Sequence, residues 1–212
     1  MQLRQRMQAF GRPVVAPRGW VFLLVTAGMV VSPVVAAQEM SRRWDLGIEA
    51  RYMPTGWFHW SSRPGGTSSD LGAYPALGGA PFIDYRLSRV VSIGFMPEIA
   101  LNVIPRTTNY PVSAMLAGSL RLKLELPALG PLLPYLVLSP GYSAMFAYDN
   151  AGADSGDAHG FVVSGYGGAR IPINARHCVL AAVGYMRGFQ RSSGHDYAPS
   201  YLVLAAGWQV SL

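Results

Sequence analysis

Between residues 114 and 126 the chain reads AMLAGSLRLKLEL, with an apolar or small residue in every second place. Leu116, Gly118, Leu120, Leu122, Leu124 and Leu126 fall on one side, and Ala117, Ser119, Arg121, Lys123 and Glu125 on the other. A helix would mix these residues around its surface, so a period of two means a strand with two unlike faces. The same alternation recurs along the chain. It predicts strands at 44–53, 81–87, 91–103, 114–126, 134–146, 161–171, 179–189 and 201–212. The fifth is interrupted by Pro140, and the sixth and seventh are rich in Gly and Ala and alternate weakly.

The connections carry a second pattern. Tight links near Ser88-Arg89, Ala128-Gly130 and Asn174-Ala175 alternate with longer polar stretches at 55–79, 102–111, 148–160 and 191–199. An even number of antiparallel strands, with tight turns at one end and long loops at the other, is the plan of an outer-membrane barrel. The expected fold is therefore all-β: an eight-stranded antiparallel up-and-down transmembrane β-barrel. The same alternation also fits a secreted, soluble, lipocalin-like carrier barrel with its faces reversed.

Three features favour the membrane version. Trp44, Tyr52, Tyr85 and Trp208 cap the apolar faces near strand ends, as a girdle at the lipid interface does. The polar faces are rich in Gly, Ala and Ser, which suit a narrow interior. The last predicted strand, with Leu202, Leu204, Ala206, Trp208, Val210 and Leu212 on one face, is placed to close the sheet against the first. Asp45, Glu49, Arg51, Asp84, Arg86, Glu98, Arg121, Lys123 and Glu125 then point inward and can pair with one another. Eight strands leave room for little beyond side chains, so a filled interior is expected, not an open pore.

Composition sharpens this picture at the N-terminus. Arg4, Arg6, Arg12 and Arg18 precede the apolar segment Trp20 to Val31, and Val35-Ala36-Ala37 offers a cleavage site. Residues 1–37 read as a secretory signal peptide and 38–212 as the barrel domain, with Met1 or Met7 as the start. Without the leader the basic residues fall from 17 to 13 against 11 acids, so the high pI gives no argument for a nucleic-acid partner. Cys178 stands alone, which leaves no internal disulfide.

The final residues, Gly207-Trp208-Gln209-Val210-Ser211-Leu212, resemble the C-terminal signal read by the outer-membrane barrel assembly machinery, with Gly207, Val210 and Leu212 on its key places. Ala205 stands where that signal usually has a polar residue, and Leu212 where Phe or Trp is commoner. DYRLSRVVSIGF (84–95) and LPYLVLSPGYS (133–143) are similar to hairpin segments of the small opacity-type outer-membrane barrels. The resemblance implies a monomer in the bacterial outer membrane, N-terminus periplasmic, in contact with membrane lipid and lipopolysaccharide.

Candidate chemistry is sparse. No nucleotide, zinc or P-loop spacing occurs, so neither cofactor nor metal is expected, and GYGGAR (165–170) sits within a strand. His59, His159 and His195 lie toward the long-loop end. His59 and His195 could meet beside Ser61, Ser62, Ser192 and Ser193, as in lipid A-modifying barrel hydrolases and acyltransferases. The leading expectation is a structural or surface-interaction barrel. Its contact candidates are Trp57, Phe58 and Trp60 in loop 55–79, which could instead anchor at the interface.

Overall fold

The computed structural model describes residues 43–62, 66, 68–73, 75–103, 112–148, 157–192 and 194–212. The predicted leader and its cleavage site lie outside them. The elements are β1 (Trp44–Met53), β2 (Gly56–Ser62), β3 (Ser68–Ala73), β4 (Ala76–Arg86), β5 (Val91–Leu101), β6 (Val112–Glu125), β7 (Leu133–Tyr148), β8 (Ala158–Pro172), β9 (His177–Arg191) and β10 (His195–Ser211). Eight of them, β1 and β4 to β10, pair with their neighbours in order, and β1 pairs with β10 to close the barrel. Every pairing is antiparallel.

Paired residues followed around the wall do not return to their start. From Trp44 the path runs through Tyr85, Ile93, Leu122, Leu138, Gly165, Tyr185 and Leu202. It arrives beside Thr55, whose carbonyl accepts from the Leu202 amide at 3.1 Å. One circuit thus climbs the whole ten-residue length of β1. Such a stagger tilts the strands by roughly 35–45° and fixes the narrow bore of an eight-stranded barrel.

The exposed faces carry Leu46, Ile48, Ile83, Phe95, Leu116, Leu120, Leu124, Leu136, Val183 and Leu204, while the charged faces are buried. A soluble carrier would have the opposite arrangement. The wall is apolar outside and polar inside, which is the inversion a membrane barrel requires.

Two stretches read as loops are strand. Within 55–79, β2 and β3 form a hairpin in the same register as β1 with β4 (Tyr52 opposite Leu77, Gly56 opposite Ala73), and β4 begins at Ala76, five residues before the predicted start. β2 also pairs with β10 from Gly56 to Ser62. With hydrogen bonds on both edges, this Gly- and Ser-rich segment is held extended despite its low intrinsic strand preference. Likewise 191–199 is mostly strand, because β9 runs to Arg191 and β10 starts at His195.

A bulge separates β1 from β2. Between the pairs Tyr52–Leu204 and Gly56–Tyr201, residues 53–55 face only 202–203 of β10. Pro54, which has no amide hydrogen to give, sits in this break. The extra residue swaps faces: Glu49, Arg51 and Met53 are buried below it, Gly56 and Phe58 above it.

Inward glycines make room for rings on the neighbouring strand. A Cβ on Gly184 would lie 2.4 Å from the Tyr166 ring, one on Gly168 2.7 Å from Tyr135, and one on Gly47 2.2 Å from Phe82. Gly184→Leu should therefore abolish the heat-sensitive gel-mobility shift of the folded barrel. Gly79→Ala, whose new methyl has no neighbour nearer than 3.9 Å, should leave it intact.

Candidate functional site

The lumen is filled by side chains in layers. At the tight-turn end, the Arg86 guanidinium donates to both oxygens of Asp45 (Nε to Oδ2 3.0 Å, Nη2 to Oδ1 2.9 Å), and Ser211 donates to Asp45 Oδ1 at 2.7 Å. Lys123 Nζ lies between Asp45, Asp84 and Glu125, at 3.5, 3.4 and 3.3 Å. Glu125 is also paired with Arg170 of β8. Arg121 links Asp84 (3.3 Å) to Glu49 (2.9 Å) and lies over the Phe82 ring, its Cζ 4.1 Å from the centroid.

The chain of charges continues upward. Arg51 donates to Glu49 at 2.8 Å, to Glu98 at 2.6 Å and to the Tyr166 hydroxyl at 2.9 Å. Its Nη2 also lies 2.9 Å from the Met96 sulfur. Five cations (Arg51, Arg86, Arg121, Lys123, Arg170) thus meet five carboxylates (Asp45, Glu49, Asp84, Glu98, Glu125) in one connected set. Matched signs allow the charges to be buried, because each is offset by a partner at contact distance.

Above Arg51 the lumen turns largely apolar, with one buried hydrogen bond from Gln190 to Ser143 at 2.6 Å. Met53, Met96, Met115, Met145 and Met186 are each at most 1% exposed, packed with Ala76, Ala100, Val103, Tyr201 and Val203. The Tyr201 hydroxyl donates to the Val103 carbonyl. Unbranched, polarizable side chains fill an irregular gap well. Rings gather at the top: Phe58 lies 5.6 Å from Tyr197, and Trp60 lies 5.7 Å from His195.

The residues singled out in the sequence fall in several places. Asp45, Glu49, Arg51, Asp84, Glu98, Arg121 and Lys123 are buried in the lumen, with Arg86 and Glu125 half-buried at its lower end. Trp44, Tyr52, Tyr85 and Trp208 lie on the outer wall, with Trp44 and Tyr85 paired and their rings 4.8 Å apart. Gly207 faces inward opposite Glu49, and a Cβ there would meet the Ile48 carbonyl at 2.4 Å and Glu49 Cγ at 3.1 Å. Val210 and Leu212 belong to the outward series.

Two expectations need correction. Of the three rings proposed as loop contacts, only Trp57 is openly exposed, at 58%; Phe58 is 3% exposed and Trp60 half-buried. The bulge at 53–55 turns Phe58 and Trp60 toward the lumen. It also separates the two histidines. His59 faces outward and its Nδ1 lies 2.6 Å from Asp70 of β3, whereas His195 packs on the inner side with Trp60 and Tyr197. Opposite Ser62 and three rungs from His59 along the ladder, His195 shares no site with it.

Sequence reasoning missed Arg170, Tyr135, Tyr166 and the methionine layer. The weak alternation of β8 hides Arg170 and Tyr166, because glycines occupy both faces there. Each methionine could be placed only once the strand's facing was known.

A bore closed at both levels by side chains, inside an apolar wall, settles the class of fold. The chain has the fold of the small outer-membrane β-barrels. No family model matches it, and no curated protein matches it in sequence. Among solved structures it is similar to Neisserial surface protein A, with a TM-score of 0.56, 12% identity, and coverage of 80% of this chain and 97% of that one. It is also similar to the outer membrane protein OprG from Pseudomonas aeruginosa, with a TM-score of 0.58, 12% identity, and coverage of 81% and 97%. Within this bore the connected charges are the main polar contents.

Removing one member leaves its partners with one cation fewer in a buried site. Arg121→Met, which deprives Glu49 and Asp84 of a cation, should lower the unfolding free energy by about 3–5 kcal/mol. Arg121→Lys should lose clearly less. Urea titration of the barrel in lipid vesicles, read by gel mobility, checks both.

Proposed function

We propose that this protein is a surface-displayed, non-conducting outer-membrane barrel, not an enzyme, whose extracellular part is the β2–β3 hairpin together with the upper ends of β7 to β10. The observation that carries the reading is the layering of buried side chains in the lumen: ion pairs below, methionines above, rings at the top. The tight turns and the N-terminal side of β1 face the periplasm, and the hairpin faces outward. Trp57 supplies an exposed ring next to the hairpin for an extracellular partner or for the membrane interface.

An enzymatic reading would need histidine, acid and nucleophile to converge, and the facing of His59 and His195 works against it. Gly207, Val210 and Leu212 serve as the assembly signal on this reading, with Gly207 also leaving space for Glu49.

Purified protein in planar bilayers should show no steady conductance steps, and their appearance would overturn the filled-lumen reading. Protease applied to intact cells should cut within residues 61–79; protection there would reverse the orientation. His59→Ala with His195→Ala should leave the lipid A profile of expressing cells unchanged, and an altered profile would restore the enzyme reading.

A further inference from the structure

The outward positions of β9, from the tight turn upward, are Val179, Ala181, Val183, Tyr185, Arg187, Phe189 and Arg191. They read as a depth gauge, aliphatic first, then rings and cations alternating. Arg187 is exposed, with Tyr185 below it and Phe189 above, and its Cζ is 5.3 Å from the centroid of the Phe189 ring. Its paired neighbours are Val163 on β8 and Ser200 on β10, and Ser200 is paired in turn with Trp57.

Among the described residues Arg187 makes no ion pair. Arg191, two outward positions higher on the same face, is already paired with Asp196 at 3.4 Å. Among the described residues, the outward positions of β7, β8 and β9 hold no acid, and β10 holds none below Asp196. A cation within the aromatic band on a lipid-facing wall needs either a route to water or a counter-charge. The counter-charge present at that depth is the headgroup of a lipid.

We propose that Arg187 is the anchor of a docking site for the phosphorylated headgroup of an outer-leaflet lipid. Phosphate oxygens accept from the guanidinium, whose planar fork matches them. Phe189 and Trp57 flank the headgroup, and the acyl chains lie on Val183, Leu202 and Leu204, which are paired with or adjacent to one another below Arg187. The charge complementarity picks out a phosphate-bearing lipid in preference to a protein partner, because aliphatic wall continues directly beneath the cation. The site rests on the outward orientation of the loops proposed above.

The test uses the folded barrel in detergent micelles, titrated with phosphorylated lipid A, the same lipid stripped of phosphate, and inorganic phosphate alone. Native mass spectrometry reads the bound fraction. Arg187→Gln should weaken binding of the phosphorylated lipid about tenfold, the loss of one charge-assisted contact. Arg187→Lys should fall between, and Arg191→Gln should lose less than Arg187→Gln. Equal binding of stripped lipid, unchanged binding by Arg187→Gln, or binding of inorganic phosphate alone at the lipid's affinity would each overturn the proposal.

If Arg187→Gln lacks the gel shift of a folded barrel, the wild-type preference for phosphorylated over stripped lipid decides, and its absence refutes the site. Micelle binding tests the site whatever the orientation, and protease cleavage on cells tests the orientation whatever the site, so the two failures are separable.

Discussion

The rest of the barrel depends on the requirement that charges inside a lipid-bound wall must find one another. Arg51, Arg121 and Lys123 cannot reach water through an apolar wall, and their carboxylate partners come from β1, β4, β5 and β6. Apart from Arg51–Glu49 and Lys123–Glu125, which lie within one strand, these contacts tie together strands distant in sequence. Arg51 and Glu98 are 47 residues apart, and Ser211 and Asp45 are 166 apart. The wall's hydrogen bonds set which strands are neighbours, whereas the lumen's charges resist any register that would take a cation away from its acid. A one-residue slip would move an entire set of charges to the lipid side.

The outer wall imposes a much weaker demand. Lipid asks only that outward residues be apolar, with rings near the ends, and Leu, Ile, Val or Phe satisfy it equally. This explains how the chain shares its fold with two solved barrels at 12% identity in each case. The lumen imposes a stricter demand, because inward glycines and the rings on neighbouring strands are matched to one another. Tyr166 shows the linkage: Gly184 lets its ring lie flat against β9, and its hydroxyl then accepts a hydrogen bond from Arg51.

Legibility in the sequence followed the same division. β6 was readable because four leucines alternate with Arg121, Lys123 and polar or small residues, so facing and charge agreed. The closed barrel and the inward direction of the nine charged residues followed from that logic. β8 and β9 were harder, because Gly165, Gly167 and Gly168 are silent about facing, and so Arg170 was overlooked. The β2–β3 hairpin was invisible for a different reason. Its stability comes from pairing on both edges of β2, and no local pattern records a partner 133 to 145 residues away. The misplacement of Phe58 and of the two histidines traces to one residue of bulge.

That bulge gives the molecule a phase boundary. Below Pro54 the strand keeps time with the lumen charges; above it the hairpin keeps its own count, shifted by one against β10. Two counts thus run along one stretch of chain against β10, one for the hairpin and one for the wall below it.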